Sequence, residues 1–144
     1  MFLGEFHHNL DNKGRIAIPS KFRVKLSEGA VIARALDNCL ALYPKKIWLI
    51  LAEKLAALPI VKANSRAFNR FMLSGAMDVS LDKQGRAIIP EYLRKYAGLK
   101  KQIIIVGLFD KLEIWSEERW NKYSMHTEKN SSEIAEKLGE IESI

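Results

Sequence analysis

Two Asp-x-x-x-Arg motifs are the residues of this chain best suited to chemistry. Asp11 precedes Arg15 in DNKGR, and Asp82 precedes Arg86 in DKQGR. An aspartate at the head of a turn accepts hydrogen bonds from backbone N–H groups ahead of it, which explains the two acids without any function. The turn does not require an arginine at the first position of the outgoing strand. The planar fork of an arginine suits phosphate oxygens or the O6 and N7 atoms of guanine.

Two interpretations of these arginines stay open at this point. Each arginine forms only a salt bridge with its aspartate across the turn, or it contacts DNA while the aspartate orients it. Each turn also carries a lysine, which adds positive charge, and a glycine, which tolerates a positive φ. The candidate DNA-binding residues in the turns are Arg15, Arg86, Lys13 and Lys83, and the turn-setting residues are Asp11, Gly14, Asp82 and Gly85.

Both motifs belong to an internal repeat. Residues 10–23 (LDNKGRIAIPSKFR) and residues 81–94 (LDKQGRAIIPEYLR) are offset by 71 positions and share seven of fourteen residues, including the glycine and the proline. This agreement predicts two copies of one supersecondary unit. Because a local axis would relate the two copies, we expect both arginine turns to emerge on the same surface.

Each copy is predicted to contain two hairpins and two helices. Short alternating runs around the Asp-x-x-Gly turn predict a first β-hairpin, and Pro19 or Pro90 then begins a helix of about two turns. The unbroken apolar run 87–89 predicts a strand that is buried on both faces, as in a barrel or an interleaved core. A second hairpin is expected in each copy, with turns near 37–38 and 110–111, and a longer helix follows it.

These patterns predict an α+β fold with two units, a helical connector and a tail. Ser65 is expected to cap the connector helix, and the spacing of Ile134, Leu138 and Ile141 predicts an amphipathic helix in the tail. The predicted boundaries are 1–58 for the first unit (hairpin core about 5–47), 59–75 for the connector, 76–126 for the second unit (hairpin core about 76–119) and 127–144 for the acidic tail.

The charge of the chain indicates a polyanionic partner. Its formal net charge is +6 and its sequence pI is about 9.5. Basic residues of the two short helices, including Lys21 and Arg23, are expected on the exposed helix faces, where they contact phosphates or are simply solvated. Both interpretations of these helix faces stay open.

Other classes of function find little support in the sequence. The single cysteine, Cys39, lies in an apolar stretch and is expected to be buried and inert. The histidines and cysteine form no metal-binding motif, and no nucleotide-binding loop or nucleophile elbow is present. We therefore predict a protein that is not an enzyme, with no metal, no cofactor and no small-molecule substrate. No apolar run reaches the length of a membrane span and no signal peptide is recognised, so we expect a cytoplasmic protein.

The start MFLGEFHHNLDNKGRIAIPSKFR, followed by a second D-x-x-G-R-x-x-I-P unit, resembles the MraZ family. The resemblance extends to about Trp120. It implies two tandem AbrB/SpoVT-type units that form a pseudo-twofold swapped-hairpin barrel with peripheral helices. It also implies DNA contacts by Arg15 and Arg86 beside the turn-setting Asp11 and Asp82. Gln84 stands where the first copy has Lys13, which leaves open whether the two units contact DNA equally.

For function, the resemblance implies a transcriptional regulator, usually a repressor. Such a protein binds double-stranded DNA at short direct repeats upstream of the division and cell-wall gene cluster that contains its own gene. A ring-like homo-oligomer at the nucleoid is implied as well. The alternative, from a different class, is an antitoxin-like module that binds a protein partner through residues 127–144.

Overall fold

The computed structural model describes residues 1–139 and contains, within that range, eight β-strands and six α-helices around a mostly antiparallel sheet. The strands are β1 (Phe2–Asn9), β2 (Arg15–Ala17), β3 (Ala30–Ala35), β4 (Cys39–Pro44), β5 (Met77–Val79), β6 (Arg86–Ile88), β7 (Gln102–Phe109) and β8 (Leu112–Ser116). The helices are α1 (Ser20–Leu26), α2 (Lys45–Ala56), α3 (Ala63–Gly75), α4 (Glu91–Ala97), α5 (Glu117–Lys129) and α6 (Ser131–Leu138).

The two repeats exchange strands. The main sheet has the order β1-β7-β8-β4-β3-β5, so the first strand of each repeat pairs with the third strand of the other. β2 and β6 form a separate antiparallel ribbon, with one strand from each repeat. Because the repeats are interleaved in this way, neither could keep its strand partners without the other.

The expected first hairpin of each repeat is wrong as a strand pairing. β1 does not pair with β2 across the turn at 11–14 but with β7, along all eight of its residues from Phe2 opposite Phe109 to Asn9 opposite Gln102. The three residues of β2 pair with β6 instead. The turn itself closes as expected, and its role is to send the chain from one sheet to the other.

A closed barrel is not formed by residues 1–139. The six-stranded sheet has two edges, since β1 pairs only with β7 and β5 pairs only with β3 among the described strands. The expected barrel is therefore replaced by an open sheet and a two-stranded ribbon that covers part of its apolar face.

The second hairpin of each repeat is confirmed. β3 pairs with β4 and β7 pairs with β8, both antiparallel. Asp37 and Asn38, between β3 and β4, have φ values of 68° and 58°. Two successive residues of positive φ match the right-handed twist of the strands that they join, and Asp and Asn tolerate this conformation better than most residues.

The helix boundaries follow local signals with one exception. α1 and α4 begin directly after Pro19 and Pro90, and Gly98 ends α4 in the left-handed conformation. Ser65 does not cap α3, because that helix already begins at Ala63 and Ser65 lies inside it. α6 ends before Gly139, and the predicted contribution of Ile141 lies outside the described residues.

Two groups of buried side chains hold these elements together. One lies beneath the ribbon and includes Ile16, Ile18, Ile89 and Leu93, so both repeats contribute equivalent residues to it. The other lies under α2 and α5 and includes Trp48, Trp115 and the buried Cys39. The ribbon is thereby fixed to a rigid support.

The division of the chain at 58, 75 and 126 stays a prediction.

Candidate nucleic-acid interface

The β2–β6 ribbon places the two arginines on one surface. In its register Arg15 lies opposite Ile88, Ile16 opposite Ala87, and Ala17 opposite Arg86. Ile16 and Ala87 are equivalent positions of the repeat, so the local twofold axis passes between them. Both point into the core, with exposed fractions of 0% and 2%. Since side chains alternate along a strand, Arg15 and Arg86 lie on the opposite, outer face.

The spacing of the two arginines follows from this register. They occupy diagonal positions on the outer face. The backbones of such diagonal neighbours are about 7–8 Å apart in an antiparallel pair, and their Cβ atoms are somewhat closer. The expectation that the two arginine turns emerge on the same surface is confirmed. The ribbon thus presents both arginines on one face, each bonded to the aspartate of its own turn.

The first turn is closed by hydrogen bonds to Asp11. Its backbone N–H donates to the carbonyl oxygen of Arg15 (3.0 Å), and its own carbonyl oxygen accepts from the N–H of Gly14 (3.1 Å). Its Oδ1 atom accepts from the N–H groups of Lys13 (2.9 Å) and Arg15 (2.8 Å). Its Oδ2 atom accepts from Nε of Arg15 at 2.7 Å. One carboxylate therefore fixes both the turn and the arginine side chain.

The second turn repeats this arrangement bond for bond. Oδ1 of Asp82 accepts from the N–H groups of Gln84 and Arg86, both at 2.9 Å. Its Oδ2 atom accepts from Nε of Arg86 at 2.8 Å. Two further bonds join the repeats: Ile18 N–H donates to the carbonyl oxygen of Gly85 (2.9 Å), and Ile89 N–H donates to that of Gly14 (2.8 Å). Each turn is therefore bonded to the residue that follows the ribbon strand of the other repeat, as well as being closed by its own aspartate.

The aspartates are ionised throughout the physiological range. Hydrogen bonding from the backbone of Arg15 is the main cause that lowers the pKa of Asp11 to about 2, with further contributions from the Arg15 side chain and the Lys13 N–H. The pKa of Asp82 is lowered for the same reason, through Arg86. Because the carboxylate beside each guanidinium stays charged, the orientation of the guanidinium does not depend on pH near neutrality.

The salt bridge and DNA contact are compatible in this geometry. Whether the salt bridge and the DNA contact can both form depends on what the terminal amino groups, Nη1 and Nη2, of each arginine bind. Asp11 and Asp82 use only Nε, and among residues 1–139 no hydrogen bond is made by Nη1 or Nη2 of either arginine. The end of each guanidinium, with its parallel donors, is therefore available for a bidentate acceptor such as a guanine edge or a phosphate.

Ile88 contradicts the prediction from the run 87–89. That run was expected to be buried on both faces, yet Ile88 is 61% exposed. It lies on the outer face with the arginines, while Ala87 and Ile89 face the core. The reason is that, within residues 1–139, the ribbon is covered on one side only, which a run of apolar letters does not reveal.

Arg23 was expected on the exposed face of α1, but it does not lie there. It is half-buried, its Nε donates to the carbonyl oxygen of Ile18 at 2.9 Å, and its guanidinium packs against Gly85 in the turn of the other repeat. Arg94, the equivalent residue of α4, packs likewise against Gly14. Each short helix thus supports the turn of the opposite repeat. Arg23 and Arg94 are the same residue at equivalent positions of the repeat, and this was the signal in the sequence for their shared role.

The lysines of the predicted site are distributed less symmetrically than the arginines. Lys13 and Lys83 are exposed in the two turns, but they occupy different turn positions, since Gln84 is the equivalent of Lys13. Lys21 is exposed on α1, and its Nζ lies over the rings of Phe6 (4.7 Å) and Phe22 (5.1 Å). The first repeat therefore presents Lys13 and Lys21, and the second presents Lys83.

Residues 1–139 contain no group of three or more His, Cys, Asp or Glu side chains in an arrangement that could hold a metal ion. None of the helices in this part of the chain combines the length and apolar character needed to cross a bilayer.

Comparison with known proteins identifies the family. The family model described as "MraZ protein, putative antitoxin-like" matches twice, over residues 1–71 and 72–140. The chain is 48% identical over 138 residues to the transcriptional regulator MraZ of Natranaerobius thermophilus, covering 96% of each chain. It is 51% identical over 138 residues to that of Limosilactobacillus reuteri, covering 96% of this chain and 97% of the relative. The chain belongs to the MraZ family.

The two matches to the MraZ model divide the chain as the internal repeat does, with the second match beginning 71 residues after the first. Another relative, the transcriptional regulator MraZ of Clostridium tetani, is 48% identical over 141 residues, which is 98% of this chain and 99% of the relative. The MraZ similarity thus spans both arginine turns and the helices that support them.

Proposed function

We propose that this chain is a transcriptional regulator that binds double-stranded DNA through the outer face of the β2–β6 ribbon. The observation that carries the proposal is the pairing of Arg15 and Arg86 on one exposed face, each held at Nε by an aspartate. Side chains fixed in advance lose little conformational freedom on binding, so more of the contact energy appears as affinity. The MraZ relatives bear the name of transcriptional regulators, which supports the same function.

We propose that the ribbon enters the major groove. That groove admits a two-stranded β-ribbon, and it displays the guanine O6 and N7 acceptors that the fork of an arginine matches. We assign base contacts to Arg15 and Arg86, and phosphate contacts to Lys13 and Lys83 in the turns and to Lys21 on α1. Arg23 is assigned a positioning role, because its Nε donates to Ile18 and its guanidinium packs against Gly85.

A single ribbon offers too few contacts for tight binding. A homo-oligomer, which we propose to be a ring, would meet several short direct repeats at once and raise the effective concentration of each ribbon. We propose that the targets lie upstream of the division and cell-wall gene cluster that includes its own gene, and that binding represses transcription. Such a protein would reside in the cytoplasm, at the nucleoid.

The proposal is tested with a duplex that carries the upstream region of this gene. Binding is measured by fluorescence anisotropy at graded salt for wild type, Arg15→Ala, Arg86→Ala and the double variant. Loss of one bidentate contact is expected to weaken binding about 5- to 150-fold per ribbon, and the salt dependence should remain steep because the phosphate contacts persist.

Arg70→Ala is the matched control, since Arg70 is exposed on α3 and carries the same charge away from the ribbon. A general loss of positive charge would affect this variant equally. Wild-type protein that does not bind the duplex, or a double variant that binds as wild type does, would overturn the proposal.

A second candidate function, binding of a protein partner, has one observation in its favour. α5 and α6 contribute no buried residue and expose Tyr123, Met125, Ile134 and Leu138. Truncation after Asn130 separates the two functions, because a DNA-binding ribbon should act normally without α6. If truncated protein is wild type in DNA binding and the full-length chain co-purifies a defined partner that the truncated chain does not, the tail has this additional function.

A further inference from the structure

The outer face of the ribbon departs from its own twofold symmetry at one pair of positions. Ala17 in β2 and Ile88 in β6 are equivalent residues of the repeat, and each lies opposite the arginine of the other repeat. Ala17 is half-buried, whereas Ile88 is 61% exposed. Only the second repeat therefore adds a large apolar group to the face that carries the arginines.

Ile88 is a neighbour of both arginines on the outer face. Arg15 is directly across the ribbon from it, and Arg86 is two residues earlier on the same strand. The bonds Ile18 N–H to Gly85 O and Ile89 N–H to Gly14 O continue the ribbon register by one residue at each end. Hydrogen-bonded and non-hydrogen-bonded pairs alternate, so Arg15 and Ile88 form a non-hydrogen-bonded pair, in which opposing side chains are closest, with Cα atoms about 4.5 Å apart.

A second protein surface is a poor occupant for this face. A partner that covered Ile88 would also remove Arg15 and Arg86 from water, and burying two guanidinium groups is unfavourable unless each receives a good acceptor. The major groove of DNA supplies acceptors and an apolar group side by side. Guanine presents O6 and N7, and thymine alone among the four bases presents a methyl group there.

We propose that Ile88 contacts the C5-methyl group of a thymine that lies beside the guanines read by Arg15 and Arg86. This inference rests on the proposed function and adds a specificity determinant to it. Ala17 has no side-chain atom beyond Cβ and does not extend to the equivalent position. The two repeats therefore read unequal half-sites, with methyl recognition confined to the half-site beside Ile88.

The experiment removes the methyl group from the DNA. Deoxyuridine replaces thymidine in the upstream duplex, first throughout and then at one position at a time, which deletes only the C5-methyl. Wild-type affinity is expected to fall about four-fold for each ribbon that loses one buried methyl contact. Ile88→Ala should bind the thymine duplex more weakly and should not distinguish it from the deoxyuridine duplex.

Three further variants make the experiment decisive. Val24→Ala truncates another exposed apolar residue, which is 79% exposed on α1, and should remain as sensitive to the methyl group as wild type. Ile88→Val keeps a β-branched side chain and should stay sensitive. Ala17→Ile should create a second methyl-sensitive position, related to the first by the twofold axis of the ribbon.

The outcomes separate this inference from the proposed function. If wild type binds tightly but is indifferent to every deoxyuridine, the inference is overturned and DNA binding stands. If wild type binds neither duplex, the proposed function itself fails. An Ile88→Ala protein that stays methyl-sensitive, or that changes its oligomeric mass in light scattering, would show that Ile88 has another role.

Discussion

The guanidinium of Arg23 lies directly against Gly85, so a helix of the first repeat supports the arginine turn of the second. Gly85 has a φ of +74°, a conformation that L-residues rarely adopt, and a side chain there would overlap Arg23. Two separate requirements, backbone conformation and space, therefore act on one residue.

We predict that Gly85→Ala destabilises the protein by more than the backbone term of about 1–2 kcal/mol for a left-handed L-residue. The excess arises because Arg23 must move and lose its bond to Ile18. A double-mutant cycle with Arg23→Ala, followed by urea unfolding, isolates this excess. If Gly85→Ala has the same effect with and without Arg23, the contact does not contribute.

Local signals predicted the turns and the helix starts, because their causes lie within a few residues. Asp11 and Gly14 close one turn between them, and Pro19 fixes the beginning of α1. The hairpin turn at Asp37 and Asn38 was predicted for the same reason, since two residues set its geometry.

Strand exchange was not predictable in the same way. The pairing of Phe2 with Phe109 joins residues from opposite ends of the chain, and nothing near Phe2 specifies that partner. The exposure of Ile88 and the support of Gly85 by Arg23 both depend on which elements cover the ribbon. Sequence spacing placed the arginines, but only the fold shows what surrounds them.

Cys39 is predicted to be unreactive in the folded protein. It is 0% exposed, and burial is the main cause that raises the pKa of its thiol, with the charge of Glu113 contributing. The thiolate is the reactive form, and it is scarce when the pKa is raised. A thiol-specific chromogenic disulfide should therefore label native protein very slowly and denatured protein at once. Rapid labelling of native protein would contradict this burial.

Ser116 is predicted to set the position of α5. Its side-chain oxygen accepts from the N–H of Arg119 at 3.1 Å, and α5 brings Trp120 to within 5.3 Å of Trp115 between ring centroids. Loss of such a cap lowers the free energy of unfolding by about 1 kcal/mol. Ser116→Ala should show this loss in urea unfolding followed by tryptophan fluorescence. Ser116→Thr keeps the acceptor and should lose less, and equal losses would argue against the cap.

The turn aspartates are predicted to make stability depend on pH only in acid. Asp11 has an ordinary pKa of 3.8 and a folded-state pKa of about 2. A lowered pKa means that the folded state binds fewer protons, so the stabilisation is complete above about pH 5 and is lost as pH falls towards about 2. Urea unfolding at several pH values should show this decline in wild type. Asp11→Asn should show less of it, and equal declines would exclude Asp11 as a source.

Replacing Asp11 by asparagine is predicted to change DNA affinity in the direction opposite to that expected from net charge alone. Removing a negative charge should strengthen binding to DNA, because the net charge becomes more positive. Asp11→Asn nevertheless should weaken it, because the amide that replaces Oδ2 donates rather than accepts and releases Nε of Arg15. Asp110→Asn, at an exposed residue between β7 and β8, is the matched control and should bind DNA as well as wild type or better. Anisotropy titrations of the upstream duplex measure both variants at one salt concentration. If Asp11→Asn binds more tightly than wild type, charge alone governs the interface and the aspartate does not orient Arg15.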